Sequence, residues 1–119
     1  MQINNSFKGF PGHHMPLDIS HIGLKKWNVL KGDFPLPLAV IKETAIAHNL
    51  LWMKDFCEKR HLDIAPHGKT TMSPELYAMQ IKAGAWGISF ANVFQASMGV
   101  RHGVKRIIIA NQVYQSPDL

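Results

Sequence analysis

The sequence predicts a parallel α/β fold, and three observations carry that expectation. From Pro37 onward, short apolar runs alternate with amphipathic segments of helix length. The helical segments carry recognisable start and stop residues. The last apolar run, Val104 to Ala110, has an Ile107-Ile108-Ile109 centre without alternation, which suits a strand buried on both faces of a parallel sheet. The order reads β-α-β-α-β-α-β, with right-handed crossovers between strands.

The elements follow in order. Residues 1–35 hold Gly9, Pro11, Gly12, Pro16, Gly23, Gly32 and Pro35, which repeatedly interrupt any period, so an irregular extension is expected there. Leu38-Ala39-Val40-Ile41 reads as a short strand, and Thr44 as the cap of the helix behind it. In that helix Ile46, Asn49, Leu50, Met53, Phe56 and Cys57 recur on one face, and Lys59-Arg60-His61 complements the dipole at its end. Leu62-Asp63-Ile64-Ala65 alternates like a half-buried strand, and Pro66 to Met72 is a polar connection. Ser73, Pro74 and Glu75 form a helix start, and Gly84 fits its left-handed end. Trp86 to Phe90 reads as a strand. A helix from about Asn92 to His102, closed by Gly103, leads into the strand Val104–Ala110. Two domains are expected, 1–35 as the extension and 36–119 as the α/β segment. Nothing after Ala110 looks like a closing element, and a barrel segment this short leaves a strand edge unpaired, so the chain reads as part of a larger protein.

The bulk properties exclude several function classes. The chain has 119 residues, 46% of them hydrophobic, which is typical of a folded domain. Its formal charge is +5, but the basic residues are scattered and lack interleaved aromatics, so nucleic-acid binding is not expected. Cys57 is the sole cysteine and cannot form an internal disulfide, which fits a reducing compartment. The polar start Met1-Gln2-Ile3-Asn4-Asn5 is no signal peptide and no run reaches membrane-spanning length, so the expected location is the cytoplasm and no membrane partner is expected. His13, His14 and His21 lack companion ligands at metal spacing, as do His61 and His67, so no metal site is assigned. Trp27, Trp52 and Trp86 read as packing residues, and Cys57 as inert core.

The chemistry concentrates around Lys69. In parallel α/β folds, functional groups collect on loops after the carboxyl ends of strands, and Lys69 follows Leu62–Ala65 beside His67, Gly68, Thr70 and Thr71. Gly68-Lys69-Thr70-Thr71 matches the end of a phosphate-binding P-loop, but the glycine required five positions earlier is Asp63, whose carboxylate repels phosphate. Two readings stay open. Lys69 could be a Schiff-base lysine, since an amine attacks an aldehyde once burial or nearby cations lower its pKa. His67 would then add positive charge, Gly68 leave room for a flat ring, and Thr70 or Thr71 bond a cofactor oxygen. The alternative is an exposed surface lysine, the usual fate of an arbitrary Lys. Asn111 ends a strand and either faces a cofactor or caps the next segment.

Ala65-Pro66-His67-Gly68-Lys69-Thr70-Thr71-Met72-Ser73-Pro74 resembles the Pro-His-x-Lys-Thr motif of the D-threonine aldolase and D-serine dehydratase family. Pro37–Val40 with the Asn49 helix, Ala83-Gly84-Ala85-Trp86-Gly87-Ile88, and Gly103 through Asn111 resemble further steps of that family in the same order, most closely in its amino acid deaminase branch. The resemblance implies a fold-type III pyridoxal-phosphate enzyme and the N-terminal part of an alanine-racemase-type (β/α)8 barrel, incomplete in this chain. About three of the eight strands would be present, the barrel starting at Leu62, with Leu38–Ile41 belonging to a second, β-rich domain. It implies that Lys69 forms the Schiff base, that His67, Thr70 and Asn111 are cofactor-binding candidates, and that the substrate is a D-amino acid. The reaction would be dehydration of a D-serine-like substrate or aldol cleavage of a β-hydroxy-D-amino acid, with Lys69 as base. Many relatives read Lys-Thr-His-Lys where this chain has Lys69-Thr70-Thr71-Met72. The phosphate cup and the ligands of a divalent metal lie later in the family's sequence, so this segment alone is expected to bind the cofactor weakly and to be inactive. A homodimer is the assembly the fold type implies. A racemase on the same fold and a non-catalytic pyridoxal-phosphate-binding protein are the alternatives.

Overall fold

A computed structural model describes residues 1–116, and the chain divides into two compact units, Met1–Ile41 and Lys42 to the C-terminus. The first unit is less irregular than its Gly/Pro content predicts. Strands β1 (Gln2–Ile3) and β2 (Leu17–Asp18) pair antiparallel, and two 3-10 helices follow at Ile19–Lys25 and Val29–Lys31. Asp18 caps the first of these through Ser20, and Asn28 caps the second through Leu30. Trp27 packs edge-on against Phe10 and Phe34 and beside His14, so it is the packing residue its composition predicts. Leu38–Ile41 does not form the predicted strand. It has no ladder partner among the described residues, and an apolar run becomes a strand only when its backbone groups find one.

The second unit opens with α1 (Glu43–Arg60). Its N-cap is Lys42, which makes no side-chain cap bond. Thr44, predicted as the cap, lies inside the first turn. Residue His61 ends the helix in a left-handed conformation (φ 52°), with Leu62 N–H donating back to the Cys57 carbonyl. No α1 residue is fully buried: Ile46, Leu50, Phe56 and Cys57 are half-buried, while Met53 and Trp52 are exposed. An open apolar groove of about 650 Å³ runs along this face, lined by Ile46, Leu50, Met53 and Cys57 of α1 and by Leu76 and Met79 opposite.

Helices α2 (Pro74–Lys82) and α3 (Val93–Arg101) sit close to their predicted bounds. Ser73 and Asn92 cap them by accepting from the N–H groups of Leu76 and Gln95. Gly84 (φ +104°) and Gly103 (φ +85°) end them as predicted. The N–H groups of Ala85 and Val104 reach back to the Gln80 and Gly99 carbonyls in the paired-bond helix end that a left-handed glycine permits.

Strands β3 (Ile88–Phe90) and β4 (Ile107–Ile109) pair in parallel, Ser89 opposite Ile108. The predicted strand at Leu62–Ala65 is displaced. Extended backbone at residues 64–68 lies beside β3: Trp86 N–H donates to the Ile64 carbonyl, Ser89 N–H to Pro66, and Gly68 N–H to Ser89, making a parallel bridge at His67. Between these two bonds the β3 side advances three positions, from 86 to 89, and the other side two, from 64 to 66, and Pro66 has no N–H to give, so the ladder is interrupted. The pairing puts three parallel segments side by side in chain order.

The core lies on one face of this sheet. Ile88 and Phe90 are fully buried there with Tyr77, Ala96 and Val104, and Met72, Ile107 and Ile109 pack around them. On the opposite face Ile108 is 44% exposed, which corrects the expectation that β4 is buried on both sides. The sequence pattern of a two-sided strand is present, but the second covering layer is not among the described residues. Trp86 is also more exposed than expected for a packing residue, with the Arg106 guanidinium 5.6 Å above its ring.

Candidate functional site at the carboxyl ends of the strands

Lys69 follows directly on the bridged segment 64–68, so it stands at the carboxyl end of a parallel strand as the sequence predicts, nearer the ladder than a strand ending at Ala65 would put it. Its backbone is held by its neighbour. Gly68 N–H donates to the Ser89 carbonyl at 2.8 Å. The Gly68 carbonyl accepts two bonds, from Met72 N–H at 3.0 Å and from the Tyr77 hydroxyl at 3.0 Å. Residues 68–72 thus form a closed turn around Lys69, finished by Met72 in a left-handed conformation (φ 46°). Gly68 itself is buried against Ile88, Tyr77 and Phe90, where a Cβ would meet each at under 3 Å. The lysine side chain is exposed, and among the described residues no carboxylate lies within 4 Å of its Nζ.

Thr70 and Thr71 are exposed on the same turn. His67 is exposed too. It pairs with Ser89, so both Cβ atoms lie on the sheet face opposite the helices. Ser89 is buried, and its hydroxyl donates to the Ala65 carbonyl at 2.8 Å, which joins the two strands on that face.

Asn111 follows β4, and its side-chain amide donates to the Ala91 carbonyl at 2.8 Å, just after β3. The adjacent Ala91 N–H is taken by Gln95 Oε1 at 3.0 Å. The end of β3 is therefore tied to β4 by the Asn111 amide and to α3 by the Gln95 amide, and the Asn111 Nδ2 group is engaged with backbone. Lys69, His67, Thr70 and Asn111 thus come to the same end of the sheet, by topology alone: all stand at or after the carboxyl ends of parallel neighbours.

Sequence reasoning missed Tyr77, Ser89 and Gln95. Tyr77 sits on α2 among Leu76 and Met79 and carries no motif; only its partner, nine residues back on the loop, gives it meaning. Burial raises the Tyr77 phenol above its ordinary value, so it is a protonated donor to Gly68 at any physiological pH. The apolar groove beside α1 is separate in its lining, which includes none of Lys69, His67, Thr70 or Asn111. No group of three or more His, Cys, Asp or Glu is placed to hold a metal ion among the described residues, and no described helix is long and apolar enough to cross a membrane.

No family model matches the chain, and no curated protein sequence matches it. Among solved structures, the crystal structure of D-threonine aldolase from Filomicrobium marinum is similar, with a TM-score of 0.68 and 26% identity over 72% of this chain and 23% of that one. The chain therefore spans under a quarter of the length of that enzyme, and its mixed α/β architecture is similar to one part of it.

Proposed function

We propose that this chain is the lysine-bearing segment of a pyridoxal-phosphate-dependent lyase acting on D-amino acids, built on the first strands of an alanine-racemase-type barrel. The observation that carries the reading is Lys69: a primary amine at the carboxyl end of a parallel strand, on a turn whose backbone is bonded on both sides, in a chain similar to part of a D-threonine aldolase. The sheet face opposite the helices, where Ile108 and His67 are exposed, supports the barrel reading, because barrel strands turn one face inward onto layers completed by the other strands.

The residues fit the aldehyde end of the cofactor. Lys69 offers an exposed amine with no carboxylate partner, and Gly68 places bare backbone next to it. When bound, pyridoxal phosphate supplies an electron sink for charge developing at the substrate α-carbon. Lys69 Nζ would hold the cofactor, and as a primary amine at that position it would carry the α-proton. His67 lies two residues before Lys69, with its Cβ on the sheet face opposite the helices. Thr70 offers a hydroxyl to a cofactor oxygen, and Asn111 fixes the end of β4 through Ala91. The reaction is D-serine-like dehydration, as in the deaminase branch, or aldol cleavage of a β-hydroxy-D-amino acid.

Incubation with pyridoxal phosphate, borohydride reduction and peptide mapping tests the anchor. The tag should be enriched at Lys69 over the other nine lysines. Tagging that merely tracks surface exposure contradicts the reading. For the full-length enzyme, pyruvate and ammonia from D-serine would identify dehydration, and glycine with acetaldehyde from D-threonine would identify aldol cleavage.

A further inference from the structure

We infer that Tyr77 is a positioning residue for Lys69, acting through the Gly68 carbonyl; this rests on the lysine reading above. A peptide unit is planar, so the Gly68 C=O and the Lys69 N–H turn together, and whatever fixes the carbonyl fixes the direction in which the chain enters Lys69. The Tyr77 hydroxyl donates to that oxygen at 3.0 Å, alongside the Met72 N–H. The hydroxyl also lies 3.5 Å from Met72 Sδ, so one phenol touches both ends of the turn that contains Lys69.

The phenol is itself immobilised. Tyr77 is 2% exposed, the only fully buried residue of α2, and its ring meets Phe90 edge-on with centroids 5.4 Å apart. The absence of a Cβ at Gly68 is what lets the ring come so near: an added Cβ would lie 2.7 Å from Tyr77 Cε1. Glycine and tyrosine form a matched pair, one clearing the space and the other filling it with a donor. Helix α2 thereby transmits its position to the reactive lysine through a single hydroxyl.

Tyr77→Phe tests this, because it keeps the ring and its contact with Phe90 and removes only the donor. Both proteins are treated with pyridoxal phosphate, which condenses with amines with loss of water. Borohydride then delivers hydride to make the link permanent. Site-resolved mass spectrometry gives the rate at Lys69 relative to Lys54 and Lys105 in the same chain, and its pH profile. The expected result is a fall of about three- to tenfold in the relative rate at Lys69, the size of one lost hydrogen bond, with a displaced pH profile. Val104→Ala, a buried apolar change away from the turn, serves as the stability control and should leave the ratio unchanged. A wild-type ratio and profile in Tyr77→Phe overturns the inference while leaving the anchor in place. An equal fall in Val104→Ala also overturns it, since the effect would then be general destabilisation. No enrichment at Lys69 in the wild type overturns the anchor reading and this inference with it.

Discussion

Gly68→Ala should destabilise the second unit, although alanine is ordinarily the better-behaved residue. The new Cβ would lie 2.7 Å from Ile88 Cγ2, 2.7 Å from Tyr77 Cε1 and 2.9 Å from Phe90 Cε1. Carbon atoms rest at about 3.5–4.0 Å, so each neighbour must withdraw by roughly 1 Å. None can do so freely, because Ile88 and Phe90 are 0% exposed and Tyr77 is 2% exposed. Overfilling a packed core costs about 1–3 kcal/mol. Alanine restricts the unfolded chain and returns about 0.4–1 kcal/mol of that. The net expectation is a loss of about 1–2 kcal/mol. With a urea dependence of about 1–3 kcal/mol per molar, the unfolding midpoint read by circular dichroism should fall by roughly 0.5–1.5 M with an unchanged slope. Ile88→Val alone should cost about 0.5–1.5 kcal/mol by leaving a gap, yet cost less when combined with Gly68→Ala, because it opens the space the new methyl needs. An unchanged or raised midpoint in Gly68→Ala, or strict additivity of the pair, would refute the packing described around the lysine turn.

Ser73→Ala removes the oxygen that accepts from Leu76 N–H and donates to Glu75, and should cost about 1 kcal/mol, measured as a lowered thermal midpoint with helix content retained in the cold. Stability should also fall in acid. The Glu75 carboxyl is held below its usual 4.5 by its own backbone N–H and then by the Ser73 hydroxyl, so the folded state binds fewer protons than the unfolded one, and its contribution, full above about pH 4.5, is lost as the pH falls through the lowered value. A thermal midpoint that rises or stays level from pH 6 to pH 3, or is equally acid-sensitive in Glu75→Gln, argues against that linkage.

The legible parts of the fold were those with local causes. Ser73, Gly84 and Gly103 each act within one helical turn, so composition and spacing reveal them. Strand placement was not legible: the pairing segment moved from Leu62–Ala65 to residues 64–68 because the partner β3, not the local alternation, selects which residues pair. Leu38–Ile41 failed for the same reason in reverse. Lys69 could be found from its motif, whereas its supports could not, because Tyr77 acquires its role through a bond across the turn and Asn111 through a bond to Ala91, 20 residues away. Thr44 lost the cap to Lys42 although it is the better capping residue, and nothing in the structure explains the earlier start.

The three parallel segments pair strictly in chain order, at offsets of 22 residues between His67 and Ser89 and 19 between Ile88 and Ile107. Each strand needs only its immediate predecessor as a template, and the loop to be closed is short at every step. Closure entropy therefore stays small and nearly constant as the sheet grows. A chain of this kind can assemble progressively from its N-terminal side while synthesis continues, each new strand and helix docking on a surface already in place. The lysine turn, bonded to the second of those strands, becomes ordered as soon as β3 has docked.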